Sequence, residues 1–71
     1  MTKYQFTFTN PENKYRPITV TLIPKEHEKI KALKTRAVQK ACIERRWTIH
    51  DFMYKYGYTR FHYRLIKTED K

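Results

Sequence analysis

Hydrophobic and polar positions alternate strictly over residues 4–9, with Tyr4, Phe6 and Phe8 on one side and Gln5, Thr7 and Thr9 on the other. A period of two in aromatic and β-branched residues predicts a half-buried β-strand. Asn10, Pro11, Glu12 and Asn13 supply turn chemistry, because proline presets its own φ and asparagine tolerates left-handed backbone. Beyond Pro17 the alternation resumes, with Ile18, Val20 and Leu22 set against Thr19, Thr21 and Ile23. Two such runs joined by a short polar loop predict an antiparallel hairpin over residues 4–23. A lone hairpin is marginal in water, so its apolar face must pack on another element or another chain.

The period then changes. Pro24 suits the first position of a helix, and Glu26 and Glu28 follow where carboxylates complement the positive end of the helix dipole. Ile30, Leu33, Ala37 and Ala41 recur at three- and four-residue spacing, broadened by Val38 and Cys42, and no glycine or proline interrupts before Arg46. This predicts one amphipathic helix over residues 25–46, with the small Ala37 and Ala41 allowing a neighbour to approach closely. Thr48-Ile49-His50-Asp51 is close to a capping box, and Trp47 just before it is placed to staple onto Phe52. A short helix over 49–56 would stop at Gly57, the only glycine, in a left-handed cap. Thr59 can cap a third helix reaching residue 67, leaving 68–71 as a frayed tail. Phe61, Tyr63 and Leu65 also alternate with His62, Arg64 and Ile66, so this last stretch would serve equally as a strand added to the hairpin. The expected fold is α+β: an N-terminal β-hairpin packed on three α-helices, the last two forming a helix-turn-helix.

Seventy-one residues make a single small domain with a marginal core. One cysteine excludes an intrachain disulfide, and His27, His50 and His62 lie at no metal-ligand spacing, so no metal or other cofactor is expected. A homodimer interface would be one source of added stability. Neither a secretory leader nor a membrane-spanning run is visible, and a lone thiol suits a reducing compartment, which points to the cytoplasm.

Charge changes the picture most. Sixteen lysines and arginines against seven acids leave a formal net charge of +9, in a chain that is 15% aromatic. Disordered basic tails are poor in aromatics, so this composition describes a folded basic module. Between residues 29 and 46 seven cations face one acid, Glu44, whereas solvated faces usually mix signs. Such a field suits nucleic acid.

Residues 49–66 resemble the bacterial helix-turn-helix family of DNA-binding domains. Ile49, Phe52, Tyr56, Tyr58, Tyr63 and Ile66 stand at the apolar places of that pattern and Gly57 at its glycine. Met53 stands where the family commonly has alanine, and Tyr63 where it has an aliphatic residue. The resemblance implies that Thr59, Arg60, Phe61 and Arg64 read bases in the major groove. Arginine can bond guanine in bidentate fashion, and an apolar ring can meet a thymine methyl. Lys34, Lys40, Arg45, Arg46, Lys55 and Lys67 would contact the DNA backbone. The expected function is duplex DNA binding as a small transcription regulator or accessory factor, with phage or mobile-element origin suggested by size and basicity.

An enzyme is not expected. His50 beside Asp51 forms no nucleophile–base–orienter set, and one glycine cannot build a phosphate-cradling loop. No small-molecule substrate is implied, and the alanine-rich stripe of the long helix argues against membrane binding. Two alternatives remain. One is single-stranded DNA or RNA stacking on Tyr4, Phe6, Phe8 and Tyr15. The other is an inhibitor that places its basic surface on a protein partner.

Overall fold

A computed structural model describes residues 2–67. It is a two-layer α+β domain in which three strands, β1 (Thr2–Thr9), β2 (Ile18–Leu22) and β3 (Arg60–Lys67), form one antiparallel sheet in the order β2-β1-β3. A single regular helix, α1 (Ile30–Arg45), lies against one face, and a short π-type turn at Asp51–Lys55 follows it. Among the described residues no helix is long and apolar enough to cross a membrane.

The alternation of the amino-terminal half is expressed directly. Phe6 pairs with Val20 and Phe8 with Ile18 across the β1–β2 ladder, so the apolar residues of both strands share one face. The loop between them is closed by Asn10, whose backbone carbonyl accepts from Asn13 N–H at 2.9 Å and whose Oδ1 accepts from Glu12 N–H at 2.7 Å. Asn13 takes the left-handed conformation, φ 57°. Leu33, Ala37, Ala41 and Cys42 of α1 complete the core with Phe6, Phe8, Ile18, Val20, Leu22, Phe52 and Tyr58. The two buried alanines keep the α1 backbone close to the sheet.

The long helix begins later than its pattern suggests. Glu28 Oε1 accepts from Lys25 N–H at 2.9 Å, Glu28 N–H donates to the Lys25 carbonyl, and His27 turns left-handed at φ 62°. Residues 25–28 therefore close a turn of their own, and α1 starts at Ile30 with no acid in its first turn. At the other end Arg46 is left-handed at φ 58°. Its N–H donates to the Ile43 carbonyl, and Trp47 N–H donates to that of Cys42, the two bonds of a Schellman cap.

The expected three helices are not there. Thr48 does cap, its Oγ1 accepting from Asp51 N–H at 3.0 Å, and residues 49–55 are helical, close to the expected 49–56. The coil widens to the π form over Asp51–Lys55, however, Tyr56 N–H reaching back to the Asp51 carbonyl. Trp47 stacks on Tyr56, ring centroids 4.0 Å apart, instead of stapling onto Phe52. Residues 60–67, expected as a recognition helix, form β3, which pairs along the whole of β1 from Thr9↔Arg60 to Thr2↔Lys67. The helix-turn-helix arrangement is thereby overturned. The reason is the free edge of β1: it offers eight residues of unpaired backbone beside Phe6 and Phe8, and β3 satisfies that backbone while bringing Phe61 and Tyr63 against them. Of the six positions expected to face the core of that motif, only Phe52 and Tyr58 are buried; Ile49 and Tyr63 remain about half exposed. The expected tail at 68–71 lies outside the described residues.

Candidate nucleic-acid interface

Alternation assigns each strand residue to one of two faces. With Phe6 and Phe8 directed at α1, the opposite face carries Lys3, Gln5, Thr7 and Thr9 from β1 and Thr19 and Thr21 from β2. From β3 it carries Arg60, His62, Arg64 and Ile66. No helix covers this face among the described residues, since α1 and the Asp51–Lys55 turn both pack on the other side. None of the three strands contains an aspartate or glutamate. The open face is therefore a carboxylate-free field of cations, hydroxyls and amides.

Its centre is ordered by a cross-strand pair. Gln5 lies opposite Arg64 in the β1–β3 ladder, and Arg64 Nε donates to Gln5 Oε1 at 2.8 Å. His62 stands opposite Thr7 and Arg60 opposite Thr9, so β3 presents Arg60, His62 and Arg64 at every second residue along one line. The sheet is three strands across, so at about 4.8 Å per step its outer strands lie about 10 Å apart, comparable with a major groove roughly 12 Å wide.

The helix side is basic too, but separately. Lys34 Nζ sits 4.4 Å above the ring of Phe61. Arg45 Nη1 donates to the Ala41 carbonyl at 3.3 Å and its guanidinium lies 5.8 Å from the Trp47 ring, while Lys55 covers Tyr56. Arg36 pairs with Glu28. The Glu28 carboxyl is held below the usual range, first by the Lys25 N–H and then by Arg36. Burial pushes the Cys42 thiol and the Tyr58 phenol upward, and the Tyr58 hydroxyl is satisfied by donating to the Arg16 carbonyl at 2.8 Å. No group of three or more histidine, cysteine or acidic side chains that could hold a metal is assembled among the described residues.

The residues expected to read DNA are thus divided. Arg60 and Arg64 stand on the open face, and Thr59 is exposed just ahead of β3. Phe61 points the other way, half buried beneath Lys34 against Phe6 and Phe8, and cannot share a surface with the arginines. Lys34, Lys40, Arg45, Arg46 and Lys55 belong to the helix layer. Lys67, in the alternation of Phe61, Tyr63 and Leu65, faces that layer as well. Sequence reasoning did not group Lys3, Gln5 and His62 with Arg60 and Arg64, beside which the ladder sets them. The polar half of the β1 alternation already exposed Gln5, and reading residues 60–67 as a strand would have aligned His62 with Arg60 and Arg64.

Comparison with protein-family models, curated proteins and solved structures found no significant match.

Proposed function

We propose that this protein binds duplex DNA through the open face of its sheet. The observation that carries the reading is that face itself: Lys3, Arg60, His62 and Arg64 in ladder register, with hydroxyl and amide neighbours and no carboxylate on any strand. A sheet face of this width can be presented to a major groove, where long polar side chains meet base edges and phosphates together. The second positive surface, on α1, lies on the far side of the sheet and acts as a long-range steering field rather than a contact surface. Single-strand stacking is less well supported. Of the rings it needs, Phe6 and Phe8 are buried beneath the helix, Tyr4 is partly buried on the same face and Tyr15 is exposed in the hairpin loop. Among the described residues the open face carries no phenylalanine, tyrosine or tryptophan. A small cytoplasmic regulator or accessory factor is the role that suits such a module.

The test is binding to labelled double- and single-stranded oligonucleotides across a salt series. Duplex should be preferred, with affinity falling steeply with salt, and Arg60→Ala should reduce the logarithmic salt slope by about one. Flat salt dependence, or a preference for single strands, would overturn the proposal.

A further inference from the structure

We infer that the Gln5–Arg64 pair is a guanine-reading element in the major groove, an inference that rests on the duplex-DNA reading above. The argument begins with what each group can do. An arginine Nε–H can only donate, so the oxygen of the Gln5 amide faces it and the orientation of that amide is set. The groups left for a ligand are the two terminal guanidinium nitrogens of Arg64, which only donate, and the NH2 of Gln5, with one lone pair remaining on Gln5 Oε1. In the major groove guanine shows two acceptors, O6 and N7, and thymine shows O4, whereas cytosine N4 and adenine N6 are donors. The free guanidinium nitrogens therefore favour guanine under Arg64, with a base that offers an acceptor at the neighbouring position under Gln5. They disfavour cytosine under Arg64, because the N4 donor of that base needs an acceptor and a guanidinium has none.

Placement reinforces the chemistry. Gln5 and Arg64 sit near the middle of the β1–β3 ladder, flanked by Thr7↔His62 and Lys3↔Ile66, where a duplex lying along the face would be approached most closely. A guanidinium already held through Nε gives up less rotamer freedom on binding than an untethered one, which sharpens discrimination. The same reading cannot be made in double-stranded RNA, whose major groove is too deep and narrow for a sheet.

Selection from a randomised duplex pool, followed by titration of the selected site and a scrambled duplex at one salt concentration, tests the inference. The wild-type protein should return a fixed guanine. Arg64→Ala should weaken the selected site about tenfold or more while changing scrambled DNA less than about threefold. Arg64→Lys should fail to restore the preference, and Gln5→Ala should keep the guanine but relax the adjacent position. Both side chains lie on the solvent-facing side, so the melting curves of these variants should overlay that of the wild type. Equal loss on both duplexes, or selection without a fixed base, would overturn base reading and leave duplex binding standing. Absence of salt-dependent duplex binding would overturn both.

Discussion

Gly57→Ala should be among the most damaging single-methyl changes in this domain, because two independent costs coincide there. Gly57 has φ +66°, a conformation in which a side chain costs about 1–2 kcal/mol. A Cβ built on it would lie 2.8 Å from Nδ2 of Asn10. That nitrogen is not free to retreat. Asn10 is the one buried polar residue of the core region among the described residues, and its Nδ2 donates to the Tyr56 carbonyl at 2.8 Å while its Oδ1 holds Glu12 in the hairpin turn. Displacing it leaves a poorly solvated carbonyl without its partner, about 1–3 kcal/mol more. The sum, about 2–5 kcal/mol, is comparable with the whole stability of a small domain. At about 4–8 °C per kcal/mol for this size, the melting temperature should fall by roughly 8–40 °C. The assay is a double-mutant cycle by thermal or urea unfolding with Asn10→Ala. Once Asn10 is truncated the clash disappears, and Gly57→Ala should then cost only the backbone component of about 1–2 kcal/mol. The reasoning is refuted if Gly57→Ala costs the same in both backgrounds, or less than about 1 kcal/mol in the wild type. The link matters for function, because Asn10 ties the end of β1 to the turn that launches β3 and so helps set the register that aligns Gln5 with Arg64.

Three further outcomes follow from local geometry. Arg46→Gly should raise stability by about 0.5–1 kcal/mol in urea unfolding, since Arg46 closes α1 at φ 58°, where glycine is unstrained. Glu28 has its carboxyl lowered by the Lys25 N–H and by Arg36, so its contribution is complete above the unfolded carboxyl value of about 4.3 and fades as pH falls through the lower folded value. The melting-temperature gap between the wild type and Glu28→Gln should accordingly be constant above about pH 5.5 and close on acidification; a gap that widens in acid would contradict the assignment. Tyr58 is shifted the other way by burial, so its contribution is complete below about pH 10 and is lost as pH rises toward its folded value. Tyr58→Phe should lose about 1 kcal/mol at neutral pH, from the missing bond to the Arg16 carbonyl, and should show a shallower alkaline decline in melting temperature than the wild type.

Where local pattern and long-range pairing agree, the chain could be read without its structure. Tyr4, Phe6 and Phe8 alternate with Gln5, Thr7 and Thr9, and Ile18, Val20 and Leu22 with threonines. Both strands and their common apolar face follow from a period of two, because the opposite faces of a strand meet different solvents. The stripe of Leu33, Ala37 and Ala41 likewise identified the buried side of α1, and Thr48 and Gly57 marked a cap and a left-handed stop that both exist. What the pattern could not decide was residues 59–67. Tyr63 and Ile66 satisfy a helical motif, and Phe61, Tyr63 and Leu65 satisfy a strand equally well. The choice was made at the other end of the chain by the unpaired edge of β1, whose backbone groups and buried rings reward a strand in a way no local propensity records. With that choice went the site. As a helix, residues 59–67 would have grouped Arg60 with Phe61. As a strand they separate the two onto opposite faces and bring Arg64 to Gln5, a residue 59 positions earlier in the chain. Composition alone determined that the protein is small, strongly basic and aromatic; only tertiary pairing decided which of its cations share a surface, because a surface is assembled across strands and not along one.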